Sequence, residues 1–240
     1  FDLKVGSWTP SYFNPTTYGD ILWPQGLMPK LAEQMDNIAV VRSVRAWNTA
    51  HGLAQTWAML ARNPTSGLSR IAPHIGSVVS LELGDKDRTL PAFMSLNAAS
   101  GPGEGYLKPE HAPMYATAGN ALANTSHQEG PAVFNRRSEL ALSLDSELRA
   151  DMRYGAEIES VAAFNQAARK LMYNPAVSAV FNLDTATRNA FGNTGFGNAC
   201  AVARNLLRAR MGTRFVQISF GSWDHHANIA GIRDPLAQFD

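Results

Sequence analysis

Cysteine is almost absent: Cys200 stands alone in 240 residues, which excludes an internal disulfide framework. Charge is scarce as well, with Asp, Glu, Lys and Arg together at 17% and a formal net charge of +1. No basic run and no acidic tail occurs, so nothing suits a nucleic-acid backbone or an anionic membrane surface. No apolar run approaches the ~20 residues that a membrane-spanning helix needs. Internal repeats, low-complexity tracts and an interdomain linker are lacking too. There is no initiator Met and no signal peptide, and Pro235-Leu236-Ala237-Gln238-Phe239-Asp240 break off inside what reads as a starting helix. The chain is therefore expected to be a piece of a longer protein, and the missing targeting segment says nothing about compartment.

What is present is material for a core. At 240 residues, 45% of them hydrophobic, the chain fits one large domain, spanning residues 1–240, better than two small ones. Ile38-Ala39-Val40-Val41 is a continuous apolar run, consistent with a central strand buried on both faces. Leu90 to Leu96, entered through Pro91, and Thr213 to Phe220 read as further strands. Helices are predicted over Leu27 to Asp36, with Pro29 near the first turn, and over Gly52 to Arg62, opened by His51 with Asn48 or Thr49 as cap. Three more follow: Pro73 to Leu83 stopped by Gly84, Arg136 to Met152, and Ala156 to Tyr173 ended by Asn174-Pro175. Residues 1–26, rich in Pro, Gly and Thr, read as an irregular lead-in. Strands with apolar interiors, separated by helices, predict an α/β layered fold. Val40 and the segment Phe215 to Phe220 are expected in neighbouring, parallel central strands. Three or four strands are few for such a sheet, which again points to missing chain.

The richest stretch runs from Phe196 to Ile229. Phe196, Ala199, Cys200, Ala203, Leu206 and Leu207 recur at three and four residues and predict a helix buried along that stripe. Gly212 is expected to supply the left-handed stop. Cys200, on the apolar stripe, reads as a structural thiol rather than a nucleophile. Past the strand comes a polar tip, Gly221-Ser222-Trp223-Asp224-His225-His226. Open α/β sheets place their ligands just beyond the carboxyl ends of such strands. In extended backbone alternate side chains share a side, so Asp224 and His226 converge while His225 points away. A carboxylate and a neutral imidazole at that spacing suit a divalent metal such as zinc. The alternative is a polar turn in which Asp224 caps the next element and the histidines are solvated. His51, one short loop past the expected strand at Ile38 to Val41, is a second polar candidate. Gly101-Pro102-Gly103-Glu104-Gly105 lacks the strand–turn–helix context and the Lys of a phosphate-binding loop, and reads as a surface turn.

Across nearly its whole length the chain resembles a bacterial family, number 1501 among the domains of unknown function, grouped with the alkaline phosphatase and sulfatase-like hydrolases. The resemblance rests on Phe1-Asp2-Leu3-Lys4, Leu27-Met28-Pro29-Lys30-Leu31-Ala32-Glu33-Gln34, Val41-Arg42-Ser43-Val44 and His51. It continues through Ile75-Gly76-Ser77-Val78-Val79, Leu83-Gly84, Leu90-Pro91-Ala92-Phe93 and Gly105-Tyr106-Leu107. It is densest at Phe196-Gly197, Ala203-Arg204, Arg214-Phe215-Val216 and Trp223-Asp224-His225-His226, against a family pattern of Trp-Asp-any-His.

The resemblance implies an alkaline-phosphatase-like layered fold with a mostly parallel central sheet flanked by helices, of which this chain holds the N-terminal and middle parts. It implies a twin-arginine export signal and a Gly-Gly-Pro-Ser stretch ahead of Phe1-Asp2, with a Glu-Phe-Gly-Arg segment and a late Asp-His pair beyond the end. In the wider superfamily, Asp and His side chains hold two metal ions that assist phosphoryl or sulfuryl transfer. By motif, Asp224 and His226 would be metal ligands and Asp2 a further one, for zinc first and calcium or manganese otherwise. Arg42 and His51 would contact the anionic group, since Arg suits a tetrahedral oxyanion. Ser43 and the absent Gly-Pro-Ser serine are equal candidates for nucleophile. The implied function is a metal-dependent hydrolase of small phosphate or sulfate esters, periplasmic or secreted. The alternative is an exported, non-catalytic protein that keeps the fold for structure, metal or partner binding.

Overall fold

The computed structural model describes residues 14–45, 47–65, 67, 71–146, 155–221, 223–227 and 229–240. In chain order its strands and α-helices are β1 (Pro15–Tyr18), β2 (Ile21–Pro24), α1 (Pro29–Ala32), α2 (His51–Leu60), α3 (Ile75–Leu83), β3 (Phe93–Leu96) and β4 (Met114–Ala116). There follow α4 (Gly130–Leu144), α5 (Gly155–Leu171), α6 (Pro175–Phe181), α7 (Thr185–Ala190), α8 (Gly195–Ala209), β5 (Phe215–Ile218) and α9 (Arg233–Phe239). The chain divides into a larger unit, Trp47–Ser219, and a smaller one drawn from residues 1–46 and 220–240.

The larger unit is built on a three-stranded sheet in the order β4-β3-β5, parallel throughout. Its central strand β3 is buried at every position, as a strand covered on both faces requires. On one face Met94 and Leu96 join Val216 and Ile218 against Val177, Val180 and Phe181 of α6 and Ala199, Val202 and Leu206 of α8. On the other face Phe93 and Phe215 pack edge to face, 5.2 Å between centroids, beneath the start of α3. Gln217 reaches Met59 of α2 with Nε2 to Sδ at 3.4 Å. Helices therefore cover both faces of a parallel sheet, the α/β arrangement expected.

Local chemistry explains the helix starts. Asn174 Oδ1 accepts from the Ala176 and Val177 N–H groups with Pro175 at the first helical position of α6, and Asp184 Oδ1 accepts from Thr187 N–H at α7. Thr194 Oγ1 accepts from Gly197 N–H at α8. At the other end of α3, Arg214 from the start of β5 donates to the Leu83 carbonyl and to Asp85 Oδ2.

Several expectations are corrected. Ile38 to Val41 forms no strand: its backbone runs free of any ladder, and Val41 and Val44 are 72% and 71% exposed. The parallel neighbour of β5 is β3, with Phe93 opposite Phe215 and Leu96 opposite Ile218, and Val40 has no part in it. β-branched residues favour a strand only when a neighbouring strand offers cross-strand packing, and propensity alone does not supply one. Pro15 to Pro24, within the supposed irregular lead-in, is the antiparallel β1-β2 hairpin in register Thr16 with Trp23 and Tyr18 with Ile21. Leu27 to Asp36 resolves into one α-turn, α1, and a 3₁₀ turn at Met35–Asn37. Neither Asn48 nor Thr49 caps α2: Ala50 occupies that position, and Asn48 Oδ1 accepts from Ala50 N–H instead.

The helix α8 keeps Ala199 and Leu206 of its predicted stripe in the core, adds Val202 and leaves Leu207 outside it. Ala199, Val202 and Leu206 are fully buried, while Leu207 is 53% exposed and Cys200 only half-buried. The stop is Arg210, at φ +53, rather than Gly212. Gly212 stands two residues further on, where a Cβ would lie 2.4 Å from that of Arg88 and 3.0 Å from the Leu90 carbonyl. Close approach to the β3 entry and a φ of +113, not helix termination, are what require glycine there.

Candidate functional site

In the smaller unit the polar tip is braced from both sides. Trp223 folds back so that its Nε1–H donates to the Phe220 carbonyl at 3.1 Å, with the two rings edge to face at 5.2 Å. The same indole meets Phe239 of α9 edge to face at 5.7 Å. One residue on, the Asp240 carboxylate accepts from the Leu31 and Lys30 N–H groups at 2.8 and 3.2 Å, tying the end of α9 to the first turn of α1.

On this support Asp224 Oδ1 and His226 Nε2 lie 2.6 Å apart, a charge-assisted contact. His225 does not share it. The ring is half-buried, and its Nε2 is enclosed without a hydrogen-bond partner among the described residues. The first and third residues of the Asp-His-His run are thus the pair in contact. A carboxylate oxygen and an imidazole nitrogen are the donor types that zinc takes at about 2.0–2.2 Å. Two such ligands around a tetrahedral ion stand about 3.3 Å apart. A small separation of the observed pair would admit the ion in place of the shared proton, so the residues fit the group. Two donors are half of a four-coordinate shell.

The remaining candidates fall as follows. Arg42 Nη1 donates to the Asp20 carbonyl in the β1-β2 turn at 2.9 Å, which holds the guanidinium against the hairpin of the same unit. Ser43, beside it, is exposed. Asp2 lies outside the described residues. His51 belongs to the larger unit, where it is the exposed first residue of α2. Cys200 is no rival as a nucleophile, since burial pushes its thiol up from the ordinary value.

The hairpin that positions Arg42 carries its own signal in the sequence. Thr16-Thr17-Tyr18 and Ile21-Leu22-Trp23 flank Gly19-Asp20, two β-prone runs around a two-residue turn. A separate cavity of about 640 Å³ in the larger unit lies at the carboxyl ends of β3 and β4, walled by Met114, Ala116, Leu122, Leu171 and Met172 with Asn120 and Asn124. Among the described residues no charged side chain lines it, so it does not suit an anionic ester.

Among the described residues no helix is long and apolar enough to cross a membrane. No curated protein and no solved structure matches this chain. A family model does match, over residues 5–239, almost the entire sequence. The chain belongs to the family described as "Protein of unknown function (DUF1501)".

Proposed function

We propose that the Asp224–His226 pair is half of a divalent-metal site, zinc foremost, in an extracytoplasmic hydrolase of small phosphate or sulfate esters. The observation that carries this reading is the 2.6 Å contact between a carboxylate and an imidazole on an exposed tip. His226 is 79% exposed there, and an exposed ion pair stabilises a fold by only about 0.2–1 kcal/mol. Stability gives little reason to place the pair, whereas ligand chemistry gives a good one. Asp2 would supply a further ligand, and Arg42, oriented by Asp20, would bind the anionic group. Ser43 is one candidate nucleophile. When bound, the metal would polarise an ester oxygen. The chain's own groups would orient the anion, with Asp224 and His226 holding the metal.

A second reading, the exported non-catalytic protein, draws on the same contact, because each partner already satisfies the other without a metal. Metal analysis after dialysis against zinc separates the two. The native chain is expected to retain zinc that Asp224→Asn and His226→Gln lose. Aryl phosphates and aryl sulfates then test the chemistry: with two donors making only half of a metal shell, this chain alone is expected to show no robust hydrolysis even when zinc is supplied, and robust metal-dependent turnover by it overturns that expectation. Equal zinc content in the native chain and both variants overturns the metal site.

A further inference from the structure

Helix N-termini are ordinarily capped by short side-chain oxygens. At α3 the acceptor is an imidazole. His74, in extended backbone just ahead of Ile75, accepts the Gly76 N–H on Nδ1 at 2.8 Å. In the neutral ring the proton then resides on Nε2. His74 is 1% exposed. Its ring stacks on Phe93 of β3 with centroids 4.7 Å apart and meets Phe215 of β5 edge-on at 5.9 Å. Its backbone N–H donates to the Gly103 carbonyl of the 101–105 turn at 2.8 Å. Nε2 is sealed from solvent beside the Gln217 side chain, short of good hydrogen-bond geometry. Around the ring stand Phe93 from β3, Phe215 and Gln217 from β5 and Gly103 from the turn, and no charged side chain among the described residues bears on it. Gly76 closes the arrangement: a Cβ there would lie 2.6 Å from the Phe215 ring and 2.9 Å from that of Phe93. The first turn of α3 thus lies flush on the sheet, and the imidazole leaves only if that turn moves.

We propose that His74 is an acid latch for α3: the neutral imidazole caps the helix and packs beneath it, and a proton on Nδ1 releases its first turn from the sheet. The proton occupies the lone pair that accepts from Gly76, so that hydrogen bond is lost and two N–H groups face each other. The imidazolium is left in an apolar site against the positive end of the helix dipole, with no carboxylate beside it. Burial already holds His74 below the ordinary histidine value of 6.5, with the Gln217 side chain opposing in part. The native state therefore binds this proton more weakly than the unfolded chain. Its contribution to stability is complete above about pH 6.5 and is lost as pH falls through the lower native value. A second histidine touches α3 in different surroundings. His111 Nδ1 lies 3.0 Å from Ser80 Oγ, and burial lowers its value, with Glu110 opposing and Arg88 and Lys108 adding to the effect.

The test compares the whole chain with its His74→Asn variant, which keeps an acceptor for the Gly76 N–H and cannot take the proton. Backbone hydrogen exchange in the first turn of α3, corrected for intrinsic rate and referenced to β3, is measured at about pH 7.5 and about pH 5.5, on either side of the histidine range. The native chain is expected to lose protection there by up to about tenfold per pH unit, the limit for one proton, and the variant to lose markedly less. An equal loss in both overturns the latch. Should the variant fail to fold, isotope-edited histidine spectra of the native chain decide. An Nε2–H tautomer that stays neutral below about pH 6 supports the latch. An Nδ1–H tautomer, or titration at the ordinary value, overturns it.

Discussion

Two residues of one type, side by side, have opposite surroundings in the tip. His226 is exposed and held by Asp224, whereas the Nε2 of His225 is enclosed without a partner among the described residues. The metal reading therefore makes an asymmetric prediction: His225→Gln should retain zinc at the native level while His226→Gln loses it, as read by metal analysis of both proteins. Loss in both would mean that the tip acts as a unit rather than through alternate residues. At Gly76 the constraint is steric. The rings of Phe93 and Phe215 are packed on each other and on His74, so an added methyl has little space to enter. Gly76→Ala is expected to destabilise the larger unit by about 1–3 kcal/mol, the usual range for overpacking, in urea unfolding followed by circular dichroism. A neutral result would show that α3 slides on the sheet.

At the scale of the element, α8 shows how packing trims a predicted stripe. Of Phe196, Ala199, Cys200, Ala203, Leu206 and Leu207, the residues Ala199 and Leu206 are fully buried, Val202 joins them, and Leu207 is left outside. Packing against α6 and the sheet sets that edge. Leu206→Ala should cost about 2–5 kcal/mol, because the site is closed on all sides. Leu207→Ala, on an exposed side chain, should stay within about 0.5 kcal/mol. Equal costs in parallel unfolding curves would put Leu207 back on the buried stripe. The strand expected at Ile38 to Val41 fails for a related reason: four apolar residues define a strand only where a partner presents its N–H and C=O groups, and among the described residues none pairs with them.

For the whole molecule, stability should be graded around β3, the only strand of the sheet with a neighbour on each side among the described residues. Its amides at Phe93 to Leu96 are expected to exchange last under native conditions, near the rate set by global unfolding. Those of Ile38 to Val41, without ladder bonds, should exchange orders of magnitude faster. Mass spectrometry of exchanged peptides reads both segments in one experiment. Protection across residues 38–41 equal to that of β3 would restore them as a sheet strand.

Periodicity, capping and strand composition are local properties, and they determined what could be read without coordinates. Asn174-Pro175 and the apolar spacing of α8 mark helices whatever surrounds them, and the apolar runs at Leu90 to Leu96 and Thr213 to Phe220 mark strands that a sheet would bury. The spacing of Asp224 and His226 likewise predicts that they share a side, because extended backbone alternates by geometry alone. The β1-β2 hairpin was legible too, through Gly19-Asp20, but short runs rich in Thr and Tyr give a weak pattern beside the surrounding Pro and Gly. Tertiary structure alone decided the rest. It chose β3 as the neighbour of β5, and exposure for Leu207 of α8 and for Val41 and Val44. It also put an imidazole where a helix cap is ordinarily an oxygen, since only the folded chain brings Phe93, Phe215 and Gln217 around His74. Each of these outcomes depends on which distant segments meet, and the energy of such contacts belongs to pairs of residues that no local stretch contains.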